Sequence, residues 1–305
     1  MNIVAIKEIF KTQFGFYLPN HPDFSMKMWN EVDDYTYADA FIQSNIAGRF
    51  KCLELNPLYE WVKRKPVLCM EQSIFRKNMN MNDTRNYYFR LGLNSYTYDD
   101  GVFKNENSPP DRWYVIKDKC EIEIKPWKTK GDYILILLQN PHDTSLVNLK
   151  TSYDEWIVNT VKEIASYTGE DIVIRLHPNF VHKYNVSMYQ NINVPNRIGI
   201  SGTTKNLNPS HGGKDFENTL ANARMVVSFS SNGLQEAVCE GIPAISLDTS
   251  SFAWPVSYHS LDILGEGEVK CKFERDQWLY DCSYCQWTAD ELDSGYPHKR
   301  LLDTK

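Results

Sequence analysis

The sequence predicts an α/β fold whose C-terminal half is a doubly wound parallel sheet. Three observations predict it. Strand-like runs that are predominantly apolar on both faces recur at 133–138, 171–176, 225–227 and 244–247. Segments with helical spacing separate them, and turn-forming residues mark the junctions. Strands apolar on both faces must be covered on both faces, which is the condition of a parallel sheet flanked by helices.

Taken in order, residues 1–130 are rich in aromatics and Asn, and their best strand is 66–70. The stretch 105–111, Asn-Glu-Asn-Ser-Pro-Pro-Asp, reads as a loop, and 98–103 reads as a hairpin with a tight turn at Asp99-Asp100-Gly101. From 131 the pattern sharpens. Strand 133–138 is followed by a helix capped by Ser152 or Asp154 and running to Tyr167, and then by strand 171–176. A short helix is expected over 215–223. The stretch MVVSFSSNGLQEAVCEGIPAIS, 225–246, then reads as strand, turn, helix, turn, strand, with Ser230-Ser231-Asn232-Gly233 at the helix start. In 277–287 a helical pattern places Trp278, Asp281, Cys282 and Cys285 on one broad face. The expected domains are 1–130, 131–285 and a closing helix over 286–305.

A chain of 305 residues, 42% hydrophobic and 24% charged, can bury a substantial core and build two domains. No apolar segment approaches the roughly 18 to 20 residues of a membrane span, and Lys7 and Glu8 interrupt the apolar N-terminus where a signal peptide would be uninterrupted. Cytoplasmic residence without membrane insertion is the expectation. Seven cysteines without regular spacing fit reduced thiols. Cys282-Ser-Tyr-Cys285 lacks the second pair a zinc site needs and reads as core packing. The net charge of −6 argues against general affinity for polyanions. The basic islands at 63–65 and 125–130 read as solvated surface lysines.

Ligands of doubly wound sheets sit beyond the carboxyl ends of the strands, so the polar residues there are the candidates. Three such clusters follow strands: Gln139-Asn-Pro-His-Asp143-Thr-Ser145, His177-Pro178-Asn179, and Ser228-Phe-Ser230-Ser231-Asn232-Gly233. Donors at a helix start suit a phosphate, glycine permits close backbone approach, and Glu236 could accept from ribose hydroxyls. No Walker loop, GxGxxG or GxSxG motif is present, so ATPase, dinucleotide and α/β-hydrolase chemistry lose their usual support. In the N-terminal half, Glu71-Gln72-Ser73-Ile-Phe-Arg76 follows a strand and offers a carboxylate for acid–base work and an arginine for an anion.

The order of these motifs resembles the capsule polysaccharide synthesis family of Kdo transferases, retaining glycosyltransferases of the GT-B type. Glu71 to Arg76 is similar to that family's Glu-Asp-Gly-Phe-x-Arg segment, and 95–103 to its Ser-Leu-x-x-Asp-Asp-x-Gly-x-Tyr segment. Gln139 to Ser145, His177-Pro178 and 230–243 follow in the same order, so the resemblance covers about 66–250. Gln72 and Ser73 depart from the family's Asp-Gly, on the acceptor side. The resemblance implies two Rossmann-like domains with a cleft between them, and a final helix that returns to the N-terminal domain. It further implies Asp143 as carboxylate nucleophile, Glu71 handling the acceptor proton, and His177 donating to the leaving phosphate. Ser230, Ser231, Asn232 and Gly233 would hold phosphate, with Glu236 toward the ribose. The co-substrate would be a UDP- or CMP-linked sugar, with no metal or other cofactor.

The leading expectation for the acceptor is a 5-hydroxymethyl pyrimidine in DNA, as in bacteriophages that decorate their genomes. Arg76, Gln72 and Arg90, with Arg85, Tyr87 and Tyr88, form the acceptor-side set that such base recognition would use. The alternatives are transfer of Kdo or another sugar to a capsule or lipopolysaccharide glycan, and an inactive nucleotide- or glycan-binding module.

Overall fold

The computed structural model describes residues 2–5, 25–28, 35–44, 47, 51, 54, 59–79, 83, 85–202 and 213–303. The chain forms two compact units, one of residues 1–120 with 279–305, the other of residues 121–278. These divisions fall at 120/121 and 278/279, against 130/131 and 285/286 expected from composition.

The first unit begins with strands β1 (Asn2–Ala5), β2 (Ser25–Met28) and β3 (Ala40–Ser44). Helix α1 (Tyr59–Val62), strands β4 (Val67–Gln72) and β5 (Tyr88–Leu93), and helix α2 (Asp111–Lys119) follow. The second unit carries β6 (Tyr133–Leu137), α3 (Tyr153–Tyr167), β7 (Asp171–Arg175), α4 (Val186–Gln190) and β8 (Ile198–Ser201). It continues with α5 (Gly213–Asn222), β9 (Ala223–Ser228), α6 (Gly233–Cys239) and β10 (Ala244–Ser246). Helix α7 (Asp276–Ser283) spans the division, and β11 (Gln286–Thr288), α8 (Ala289–Asp293) and α9 (Tyr296–Leu302) complete the first unit.

In the second unit the strand order is β10-β9-β6-β7-β8, with every described pairing parallel. Both faces of its strands are covered: Ile134, Ile136, Ile172, Ile174, Met225 and Val227 pack in one cluster with Trp156, Ile157, Val161 and Ile164 of α3, and Leu135, Leu137 and Val226, which alternate with them, are buried as well. Helix α3 starts where the sequence places it. The Ser152 hydroxyl accepts from Glu155 N–H and the Glu155 carboxylate accepts from Ser152 N–H, a reciprocal capping box. After α6 the chain turns at Gly241, whose φ is +74° and whose missing Cβ would lie 2.1 Å from Pro126 O. Only glycine fits there, which explains the Gly-Ile-Pro junction before β10.

The first unit's sheet has the order β11-β5-β4-β3-β1-β2. β1 to β4 pair in parallel, while β5 and β11 add antiparallel strands at one side. Several expectations fail here. β4 continues through Gln72, so Glu71 lies within the strand. The hairpin at 98–103 is a turn, from which only Val102 pairs with the sheet, opposite Leu93. The strand missed in its place is β5, whose apolar run is broken by Arg90. The final helix resolves into β11, α8 and α9. Cys285 leaves helix α7 in a turn closed by its N–H to Cys282 O (3.1 Å), because the chain must extend to enter β11. Burial pushes the Cys285 thiol up, and no disulfide joins the described cysteines.

The basic islands are locally engaged. Lys63 pairs with Glu60 at 3.0 Å, Lys125 pairs with Glu240, and Lys128 donates to Ala221 O. Among the described residues no helix is long and apolar enough to cross a membrane.

His298 on α9 is buried, and desolvation lowers its pKa from 6.5 to about 4. The unfolded chain therefore binds the proton more readily, so stability falls as pH drops from about 6.5 toward 4. The full linkage is about 3 kcal/mol. Urea unfolding between pH 7 and 4.5 checks this: His298→Gln should flatten the acid limb relative to wild type, and identical slopes would assign the acid sensitivity to other groups.

Candidate active site

In the second sheet β6 and β9 are neighbours from which the chain winds outward in opposite directions, to β7 and β8 on one side and to β10 on the other. That reversal is the switch point at which doubly wound sheets open a crevice beyond their carboxyl ends. The three polar clusters singled out in the sequence follow β6, β7 and β9, three adjacent strands.

One residue ties these strand ends together. The buried Gln139, just beyond β6, donates through Nε2 to Ser145 Oγ (2.8 Å) and Ser230 Oγ (3.2 Å), and its Oε1 accepts from Ser230 N–H (3.0 Å). Its backbone is engaged as well. Gln139 N–H donates to Tyr153 Oη, and its carbonyl accepts from Tyr184 Oη, both at 2.8 Å. Tyr184 Oη in turn accepts from His177 N–H (3.4 Å), which brings in the loop after β7. Burial raises the pKa of both phenols, so they remain neutral hydrogen-bonding groups. Ser228 Oγ donates to Leu137 O (2.7 Å), closing the seam between β6 and β9.

This knot separates the expected phosphate ligands by role. Ser230 is buried and its hydroxyl is engaged with Gln139 and Ser145, so its side chain is internal structure and not a surface for ligand. The Ser231 hydroxyl accepts from Gly233 N–H (3.2 Å). Asn232 sits half-buried at the start of α6 without a side-chain capping bond. A Cβ at Gly233 would lie 2.7 Å from Leu137 Cδ1, so the glycine lets α6 close on β6. Glu236 lies half-buried in the first turn of α6. With only seven residues, α6 brings a small dipole.

Asp143 is half-buried and caps the 3₁₀ turn Thr144–Leu146, accepting from Ser145 N–H at 2.9 Å. The turn it starts is the one that delivers Ser145 to Gln139. His177 accepts at Nδ1 from Asn179 N–H (3.3 Å), which assigns the proton of its neutral ring to Nε2. Its ring rests against Phe180. A carboxylate and an imidazole Nε2–H thus follow adjacent strands, with Asn232 following the next.

In the first unit, Glu71 stands directly opposite Arg90 on the β4–β5 ladder, and its Oε1 accepts from Gln72 N–H at 2.8 Å. Arg90 is 3% exposed, with its guanidinium 5.2 Å from the Tyr96 ring centroid. Burial lowers the Arg90 pKa, and the Glu71 charge opposes that shift. Arg90 is therefore the interior counter-charge to Glu71 and not an acceptor contact. Tyr87 and Tyr88 are interior too, and Arg85 pairs with Asp290 (2.9 Å) and Asp293 (3.3 Å). Arg76 is buried and donates to the Gln72 side chain. The acceptor-side set expected from sequence is thus largely core.

Two residues that sequence reasoning missed hold the loop after β4. Gln286 Oε1 accepts from Ile74 and Phe75 N–H (2.9 Å each), and its Nε2 donates to Phe75 O (3.2 Å). Arg112 donates to Gln286 O (2.7 Å) and Ser283 O (3.2 Å), forks onto Glu291, and lies 4.1 Å from the Trp287 ring centroid. For Gln286 the signal is a polar residue between Cys285 and Trp287, legible only when its strand partner is known; Arg112, after Pro109-Pro110-Asp111, carries no such signal.

The chain's fold is similar to that of two solved structures of Thermosulfurimonas dismutans KpsC. The beta Kdo 2,4 transferase matches with a TM-score of 0.52 at 12% identity, over 88% of this chain and 90% of that one. The beta Kdo 2,7 transferase matches with a TM-score of 0.52 at 12% identity, over 99% of this chain and 100% of that one. The likeness is one of fold. No protein-family model matches the chain, and no curated protein matches it significantly in sequence. Among the described residues no three His, Cys, Asp or Glu side chains gather as a metal site.

Replacing Gln139 by Leu strips the knot of its side-chain bonds and leaves the buried Ser230 N–H unsatisfied. The expected loss is about 2–3 kcal/mol. Urea unfolding measures it, and a loss under about 0.5 kcal/mol would mean that packing alone holds the strand ends.

Proposed function

We propose that the protein is a glycosyltransferase that moves a sugar from a nucleotide donor to a hydroxyl. The observation that carries this reading is that Asp143, His177 and Asn232 lie in the loops that follow three adjacent strands, at the switch point of the second sheet, in a fold similar to that of Kdo transferases. Fold alone is shared by many chemistries, so the weight rests on these side chains.

In the proposed mechanism the donor phosphate lies against Asn232 and the Nε2–H of His177. The Asp143 carboxylate attacks the anomeric carbon as the bond to the nucleotide phosphate oxygen breaks, and the nucleotide departs with the electron pair of that bond. His177 stabilises the charge developing on the departing phosphate. An acceptor hydroxyl then displaces Asp143 from the anomeric carbon and gives its proton to a general base, the role that the sequence resemblance assigns to Glu71. Two inversions retain configuration. Ser230 serves by locking the turn, Ser231 and Gly233 shape it, and Glu236 faces the ribose. No step calls for a metal.

For the acceptor, a glycan hydroxyl is the better supported choice, because the similar structures are Kdo transferases. Transfer to a hydroxymethylated DNA base loses the support it had: Tyr87, Tyr88, Arg90 and Arg76 are buried in the first unit.

Asp143→Asn separates catalysis from capping, because Asn retains the oxygen that accepts from Ser145 N–H. Turnover should fall at least about 10³-fold while the unfolding midpoint moves little. The assay incubates the protein with CMP-Kdo and a panel of UDP-sugars, offering Kdo-terminated oligosaccharide and hydroxymethylcytosine DNA in parallel, and reads mass increments. Full turnover by the variant would overturn the nucleophile assignment, and an increment on DNA alone would overturn the glycan acceptor.

A further inference from the structure

Beyond β10 the chain folds back beside that strand. Tyr258 N–H donates to Ala244 O (2.8 Å) and Ser246 N–H donates to Tyr258 O (2.9 Å), so the two segments run parallel along the sheet edge. His259 consequently emerges at the carboxyl end of the sheet, the end that carries Asp143, His177 and Asn232. Its ring lies flat on Trp254, with centroids 3.5 Å apart and planes 3° from parallel. Nε2 of His259 lies 2.9 Å from Trp254 O, which fixes the imidazole in the stacked orientation. His259 is exposed, and Trp254 is half-buried beneath it.

The support under this pair is built from the donor side of the unit. Trp278 Nε1–H donates to Phe252 O at 2.7 Å. Ala253 N–H donates to Ser251 Oγ and Ser257 Oγ donates to Trp254 O, both at 3.2 Å. The fully buried Gln235 of α6, in the orientation that satisfies both ends of its amide, donates to Asn232 O (2.5 Å) and accepts from Phe252 and Ala253 N–H (3.2 Å each). One side chain therefore couples Asn232 to the residue immediately before Trp254. Shielding an indole needs only aliphatic cover. Here the cover is a second planar ring, pinned at one nitrogen and itself exposed, which is the form of a stacking surface.

We propose that the Trp254–His259 pair is the platform on which the base of a bound nucleotide stacks. The inference rests on the nucleotide-sugar reading above and extends it to the base. Every nucleobase has a π face, so the platform supplies affinity for nucleotides over sugar phosphates, and the base edge is left to other contacts.

Calorimetric titration of the whole protein with CMP, UMP, AMP and ribose 5-phosphate tests it, using wild type, His259→Ala and His259→Phe. His259 is exposed, so both variants should keep the fold, which circular dichroism verifies. His259→Ala should weaken each nucleotide about 5- to 150-fold, leave ribose 5-phosphate unchanged, and be rescued by His259→Phe. Undiminished nucleotide binding by His259→Ala, or equal losses for nucleotides and ribose 5-phosphate, would overturn the platform and leave the nucleotide-sugar reading standing. Failure of wild type to bind any nucleotide would overturn both.

Discussion

The second unit depends on the amide of Gln139. Parallel strands deliver their following loops to one end of the sheet but do nothing to hold those loops in register with each other. At the end of β6 and β9 this is done by a single buried side chain that donates to two serine hydroxyls and accepts from a backbone N–H. An amide suits the task because it presents a donor and an acceptor a fixed distance apart, and neither carries a charge that burial would penalise. With Tyr153 and Tyr184 occupying the backbone N–H and C=O of the same residue, Gln139 has little freedom left.

The same device recurs. Gln235 joins the start of α6 to the loop before Trp254, and Gln286 clamps the backbone that follows Glu71. All three glutamines are buried, and each bridges a loop at a strand or helix end to an element distant in sequence. Such bridges are costly if half made, since an unpaired buried amide loses the hydrogen bonds that water gave it. Their completeness here gives the strand-end residues fixed positions, which is the requirement for a site built on loops.

The sequence made the second sheet legible because β6, β7 and β9 each carry an unbroken apolar run at their centre and Ser152 announces α3. The clusters at their ends were legible for the same reason: once a strand is placed, the polar residues that follow it are placed too. What was not legible is which polar residue is spent on internal hydrogen bonds and which is not. Ser230 and Asn232 are two residues apart in one turn, yet one is consumed by Gln139 and the other is not. In the first unit the misreadings share a cause. Arg90 in β5 and Gln286 in β11 are buried polar residues within strands, and each conceals its strand from a pattern search while sitting opposite the other on the ladder.

Asp143 carries a structural role that is compatible with the chemical one proposed for it. Its Oδ1 caps the turn that carries Ser145 to Gln139, so the carboxylate is held by the network it helps to build. One oxygen held by a backbone N–H leaves the group little rotational freedom to lose, which is what the nucleophilic role proposed for it would require. Glu71 is positioned by comparable means, with its Oε1 on Gln72 N–H and Arg90 directly across the ladder. In both units a carboxylate, within β4 in one and in the loop after β6 in the other, is oriented through one oxygen by a backbone N–H, and a nearby loop is held by a glutamine. That correspondence follows from a single constraint, the need to hold a charged group still by giving one of its oxygens a backbone donor.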